Sequence, residues 1–294
     1  MIKGADFFVD GSSSIARSLK IPSIVIGLTL VSMGTSAPEA AVSITAGLKG
    51  SSDISLGNVI GSNIFNLLSV IGCAALIRPI IVEEDIPRRD LPVSLLSTIV
   101  LLIMMLNGRI SRLEGILLLA GIIVYMFVLV RGALKNRTTE EEEQKTLSMP
   151  ISLLYVALGL GAVVLGGQLV VNNATIIARH FGMSDTLVAL TIVAIGTSLP
   201  ELVTSVMAAR KGEAGIALGN AVGSSIFNFL FIAGIASALA PITVDMKLIV
   251  DIGLLIVIHL LIFLFAKTGM KISRIEGATL VVIYIAYTAY IIMR

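Results

Sequence analysis

Shifted by 162 residues, this chain reads over itself, and no other feature narrows its possible folds more. "VSMGTSAPEAAVS" at 31–43 returns as "VAIGTSLPELVTS" at 193–205, and "GNVIGSNIFN" at 57–66 as "GNAVGSSIFN" at 219–228. Pro79 returns as Pro241, and "RLEG" at 112–115 as "RIEG" at 274–277. Between Gly34 and Asn66, 18 of 33 positions equal their counterparts in this one register. A chain duplicated in this way folds as two copies of one unit, so the unit is what has to be read.

The unit is apolar. With 56% hydrophobic and 14% charged residues, the chain lies outside the range of soluble domains. Its apolar runs are long enough to cross a bilayer as helices, whereas barrel strands would be runs of about ten residues alternating in polarity. The expectation is an all-α membrane protein with spans at 1–19, 23–48, 54–77, 91–107, 112–134, 150–178, 185–209, 214–240, 247–266 and 275–293. The hydrophilic stretch "KNRTTEEEEQK" at 135–145 divides them into two repeats, 1–134 and 150–294, around an acidic linker, 135–149. Each repeat then holds five helices, and an odd number forces the second to thread the membrane in the opposite direction. Inverted repeats place a substrate site at their interface near the bilayer midplane.

Basic residues in short loops set the orientation. Placing the odd-numbered loops in the cytoplasm gathers there Arg17, Lys20, Arg78, Arg88, Arg89, Arg131, Lys135, Arg137, Lys145, Arg210, Lys211, Lys267, Lys271 and Arg274, 14 of the 21. The linker is then cytoplasmic in a multi-pass protein of the cell (plasma or inner) membrane, with both termini outside. Met1 aligns with Val163, while "PISLLYVALGLGA" precedes that point in the second half only, so the first helix reads as about a dozen residues short. No cleavable signal pattern is visible. Net charge is +2, with charges expected in loops, and gives no reason to invoke nucleic acid. Cys73 stands alone in an apolar span, which excludes a disulfide or zinc framework.

Within the repeats, Glu39 and Glu201 are the anomaly, because an ionised carboxylate at mid-membrane costs about 2.5–3.5 kcal/mol on insertion scales and demands a partner. Neither span supplies Lys or Arg, which leaves a proton or a metal cation. Thr35 and Ser36 precede Glu39 by four and three residues and share its helical face; Thr197 and Ser198 stand likewise before Glu201. Pro38 and Pro200 cannot donate to the carbonyls of Gly34 and Gly196, so a broken helix adds backbone oxygen. Ser62 with Asn66, and Ser224 with Asn228, supply further oxygen at four-residue spacing. Gly57, Gly61, Gly219 and Gly223 give the small-residue spacing of closely approaching helices. Hard oxygens without thiolate or imidazole, around two carboxylates, suit Ca²⁺ with charge balance, and Na⁺ in competition.

The paired strings "GTSAPE" and "GTSLPE", each followed by a "GN..GS.IFN" segment, resemble the two alpha repeats of the cation/calcium exchanger superfamily, sodium/calcium exchanger branch, over nearly the whole chain. The resemblance implies ion ligands at Thr35, Ser36, Glu39, Ser62 and Asn66 and at Thr197, Ser198, Glu201, Ser224 and Asn228, with backbone carbonyls near Ser32 and Ala194. It implies an electrogenic antiporter exchanging three Na⁺ for one Ca²⁺ by alternating access, through sliding of the first and sixth helices. Potassium-dependent relatives carry Asp where Asn228 stands, which implies independence of potassium. The partners expected are Ca²⁺, Na⁺ and the lipid bilayer, with no cofactor and the chain acting as a monomer.

Proton-coupled exchange remains open on the residues themselves, since a dry carboxylate can hold H⁺ in competition with Ca²⁺. An intramembrane protease would use two carboxylates as an acid/base pair, and an ion channel would show conductance without counter-transport. "GLGAVVLGG" at 159–167 imitates a dinucleotide loop, but in an apolar span without a preceding strand it reads as close helix packing. His180 and His259 read as structural, and "EEEE" at 140–143 as a solvated linker.

Overall fold

A computed structural model describes residues 1–135, 147–182, 192 and 194–293. The helices are α1 (Ile2–Leu19), α2 (Ser23–Thr35), α3 (Ala37–Leu48), α4 (Ser52–Ile77), α5 (86–105), α6 (Arg112–Lys135), α7 (Met149–His180), α8 (Ala194–Thr197), α9 (Leu199–Lys211), α10 (Ala214–Leu239), α11 (Met246–Lys267) and α12 (Arg274–Met293). Among the described residues, α4, α6, α7, α10, α11 and α12 are each long and apolar enough to cross a membrane. The pair α2–α3 qualifies when taken together, bent by 50°. The start of the seventh expected span and most of the linker, 136–146, lie outside the described residues.

Three expectations are corrected in detail. The second span is broken, as read, but at Ser36: Pro38 falls in the first turn of α3, where the missing N–H costs nothing. The fourth span begins earlier than read, because Ile86–Asp90 already winds as a wide π turn before Leu91. Charges are not confined to loops, since α1 carries Lys3, Asp6, Asp10 and Arg17, and Asp90 and Asp251 are buried in helices. The short first helix is present as read: α1 has 18 residues where α7 has 32.

The inversion is visible in four two-residue strands that hydropathy does not reveal. β1 (Ile80–Ile81) pairs antiparallel with β4 (Lys271–Ile272), and β2 (Arg109–Ile110) with β3 (Ile242–Thr243). Along the chain β1 and β2 flank α5, while β3 and β4 flank its repeat counterpart α11. The start of α5 is therefore clipped to the end of α11 and the reverse, so the two helices run antiparallel and the repeats are inverted. The halves interleave rather than sit side by side, with α1 packed on α7, α10 on α2, α4 on α12, and α6 on α10.

Close approach is bought with small residues. A Cβ on Gly159 would lie 2.5 Å from the Phe8 nitrogen, and one on Gly4 would lie 2.8 Å from the Ala162 Cβ, which is why the glycine-rich 159–167 stretch packs rather than binds. A Cβ on Gly219 would lie 2.7 Å from the Ile24 carbonyl oxygen and one on Gly223 2.8 Å from the Leu28 Cα. For Gly57 and Gly61, the counterparts of those partners are 186 and 190, outside the described residues. His259 is buried with Nδ1 at 2.8 Å from the Leu255 carbonyl and Nε2 at 2.8 Å from Ser94 Oγ, a structural role. His180 is exposed at the end of α7.

The repeated "RLEG" and "RIEG" strings prove to be helix starts. The Ser111 N–H donates to Glu114 Oε2 at 2.7 Å, the Ser273 N–H donates to Glu276 Oε2 at 2.7 Å, and each Glu N–H returns a bond to its serine hydroxyl. These are reciprocal caps on α6 and α12. Glu114→Ala is expected to lower stability by about 1 kcal/mol and to leave transport intact, a result checked by thermal unfolding in detergent; an unchanged midpoint would show the cap to be idle.

Candidate functional site

Four helix ends converge at the centre. α2 stops at Thr35 and α8 at Thr197, while α3 and α9 start one residue beyond the intervening serines, carrying Glu39 and Glu201 in their first turns. A helix start favours a carboxylate and a helix end favours a cation, so each broken helix offers both kinds of stabilisation at one level. This answers how two acids sit among hydrocarbon: each rests at the positive end of its own helix.

The two halves exchange their contacts. Ser36 Oγ donates to Glu201 Oε1 at 2.9 Å, and Ser198 Oγ donates to Glu39 Oε1 at 2.7 Å. Each glutamate is thus held by the serine of the opposite repeat, and both are fully buried. Their second oxygens, Glu39 Oε2 and Glu201 Oε2, are buried and have no hydrogen-bond partner among the described residues. The same holds for both amide atoms of Asn66 and for Asn228 Oδ1. Buried polar atoms are almost always paired, so an unpaired carboxylate oxygen on each repeat's glutamate points to a ligand that supplies positive charge.

Of the other expected residues, Ser62 Oγ lies 3.1 Å from Ser198 Oγ, whose single proton goes to Glu39, and Ser224 Oγ lies 3.5 Å from the Ser32 carbonyl. That carbonyl also accepts the Ser36 N–H at 3.0 Å. Thr35, Ser36, Ser62, Ser198, Ser224, Asn66 and Asn228 are fully buried, and Thr197 nearly so. Ala194 opens α8, and its side chain lies outside the described residues. Asn66 and Asn228 also begin wide π turns, Asn66–Val70 and Asn228–Ile232, a geometry common at functional sites because it releases backbone from the regular ladder.

Sequence reasoning missed the asparagines that hold this arrangement. Asn58 Nδ2 donates to the Glu39 carbonyl at 3.3 Å and to Ser43 Oγ at 2.8 Å; its Oδ1 accepts from Thr197 Oγ1 at 3.4 Å. Asn220 repeats the pattern with the Glu201 carbonyl at 3.2 Å, Ser205 Oγ at 2.9 Å and Thr35 Oγ1 at 3.0 Å. Thr35 Oγ1 also lies within bonding distance of the Val31 and Ser32 carbonyls, at 3.1 and 3.3 Å. The signal of the two asparagines was the duplicated "GN" opening each second motif. Asn63 has no asparagine counterpart, and its Oδ1 accepts from Asn228 Nδ2 at 3.2 Å.

A bundle of membrane helices in two inverted halves, closing jointly on a buried oxygen-lined centre, is built as a cation carrier. The chain belongs to the sodium/calcium exchanger family: the profile described as "Sodium/calcium exchanger protein" matches residues 1–131 and 151–293. This is a family of transporters, not enzymes, which removes the remote alternative of an intramembrane protease. The chain is 39% identical to the candidate antiporter CaxA of Alkalimonas amylolytica, over 98% of this chain and 93% of that protein. It is 34% identical to the sodium/calcium exchanger MaX1 of Methanosarcina acetivorans, over 98% and 94%. Among solved structures, the sodium-calcium exchanger NCX_Mj soaked with Na⁺ and Sr²⁺ superposes with a TM-score of 0.86 at 36% identity, covering 98% of this chain and 94% of that one.

Proposed function

We propose that the chain is an electrogenic antiporter moving one Ca²⁺ against three Na⁺, independent of potassium, with Thr35, Ser36, Glu39, Ser62, Asn66, Thr197, Ser198, Glu201, Ser224 and Asn228 around the ions and the carbonyls of Ser32 and Ala194 beside them. The observation that carries this reading is the pair of unpartnered carboxylate oxygens, one from each repeat, each glutamate fixed by the opposite repeat's serine. Two ionised glutamates neutralise one divalent cation, and the surrounding oxygens are numerous enough to divide among smaller monovalent ions. The name of MaX1 and the Na⁺ and Sr²⁺ soaked into NCX_Mj support the same ion classes.

In this reading residues 1–134 and 150–294 act as the two repeats of a monomer, the linker 135–149 faces the cytoplasm, and α1 with α7 slides to alternate access. The test is isotopic calcium uptake into proteoliposomes preloaded with Na⁺, K⁺ or Li⁺, or with an acid interior. Uptake driven by Na⁺ alone, and accelerated by a membrane potential that compensates one charge per cycle, is the expected result. Uptake driven by the pH gradient without Na⁺ would replace Na⁺ by H⁺ as the coupling ion, and conductance without counter-flux would make it a channel.

A further inference from the structure

The two seams through which the centre can be reached are not equivalent. At the end of α9, Lys211 reaches across to α1, where Nζ lies 2.5 Å from Asp6 Oδ1 and 2.6 Å from Asp10 Oδ1 and donates to the Asp6 carbonyl at 3.1 Å. Further along α1, Arg17 pairs with Glu213, just beyond the end of α9. All five side chains are partly shielded, and α1 packs directly on α9 along this line.

Adding or subtracting the repeat offset gives the same positions on the other seam. Asp6 becomes Gln168, Asp10 becomes Asn172, Arg17 becomes Arg179, Lys211 becomes Lys49 and Glu213 becomes Ser51. All three acids are replaced by neutral residues, so the matching ion pairs cannot form. There the structure has a cavity of about 800 Å³ between α7 and α3, lined by Gln168, Asn172, Thr175 and Arg179 on one side and Pro38 on the other, and reaching Thr197 of the central site. The seam with the charges is shut, and the seam without them is open.

We infer that Lys211 with Asp6 and Asp10, together with Arg17 and Glu213, forms an electrostatic latch that biases the carrier toward the state open along α7. Opening the α1–α9 seam breaks both sets of ion pairs, while closing the α7–α3 seam cannot make the matching ones, so the two end states differ in free energy. The carrier therefore rests with its centre facing one side of the membrane, and ions on the opposite side meet a less populated binding form, with their apparent affinity reduced by that fraction. The basic-residue count puts the latch on the cytoplasmic face. The inference rests on alternation between two seams, but its readout does not depend on which ions are carried.

Paired cysteine reporters test it in a Cys73→Ala background. Thr175→Cys lines the cavity, and Ser13→Cys is its buried counterpart behind the latch. In nanodiscs, where both faces meet the bulk, maleimide is expected to label Thr175→Cys faster than Ser13→Cys. Combining Lys211→Met with Glu213→Gln should raise the ratio of the Ser13→Cys rate to the Thr175→Cys rate by roughly four- to 25-fold, if each partly exposed pair shifts the equilibrium roughly two- to fivefold. Glu213→Arg should produce part of this shift, and adding Arg17→Glu should reverse it. Unchanged rates would overturn the latch. So would a rise at both reporters that the charge exchange fails to reverse, because that is general loosening. A failed Na⁺-driven uptake assay, with the reporters behaving as stated, would sink the ion assignment and leave the latch standing.

Discussion

Glu201→Gln is expected to abolish calcium uptake while leaving the bundle assembled, and Glu39→Gln to do the same. Glutamine keeps the side chain's length and an oxygen for the serine of the opposite repeat, so the crossed bonds at 2.9 and 2.7 Å survive in outline. What disappears is one negative charge. A unit charge pair 4 Å apart is worth about 4 kcal/mol even at an effective dielectric constant near 20, so a site left with a single carboxylate binds a divalent ion at least roughly a thousandfold more weakly. Isotopic uptake into Na⁺-loaded proteoliposomes measures the loss, and the thermal unfolding midpoint in detergent separates it from misfolding. Sustained uptake by either variant would remove the glutamates from the ion path.

The second large effect is steric. Gly223 sits beside Ser224 on α10, and a Cβ there would lie 2.8 Å from the Leu28 Cα, 2.8 Å from Ser32 Oγ and 2.9 Å from the Leu28 carbonyl. Two of those three neighbours are backbone, so relief requires α2 and α10 to separate at the level of the site. Overpacking of this kind costs about 1–3 kcal/mol for small additions, and Gly223→Val is expected to exceed that range, lowering the unfolding midpoint and uptake together. Gly121→Ala is the control: its Cβ would meet only the tip of Leu230, at 3.4 Å, and stability should be nearly unchanged. Equal midpoints for the two variants would contradict the close packing of α10 on α2.

Much of the centre was legible because duplication exposes it. A single buried glutamate near a proline has an ordinary packing explanation, but the same carboxylate in the same polar setting 162 residues later has none, and the oxygen-bearing residues at helical spacing follow from that pair. Asn58 and Asn220 were quoted within their motifs without a role, since each acts on a threonine of the other repeat and only interleaved halves bring them together. Lys211 and Arg17 were counted toward orientation as loop charges. That count is blind to pairing across the repeats, and Asp6 and Asp10 on a helix were its overlooked complement. The two-residue strands are too short to leave any period in the sequence. The break was read at Pro38 rather than at Ser36, because a proline in an apolar run marks a disruption without saying on which side of it the new helix begins.

The pairing of Ile80 with Ile272 and of Ile110 with Ile242 has a mechanical meaning. Since α5 and α11 are pinned to each other at both ends, neither can shift lengthwise without rupturing a pin, and the helices chained to them inherit that restraint. On the sliding of α1 with α7 proposed above, the bundle divides into a chassis riveted on both faces and a runner, α1 with α7, whose mutual glycine contacts let it travel as one piece. Work done by the ions is therefore spent on moving the runner past the chassis instead of on deforming the whole bundle.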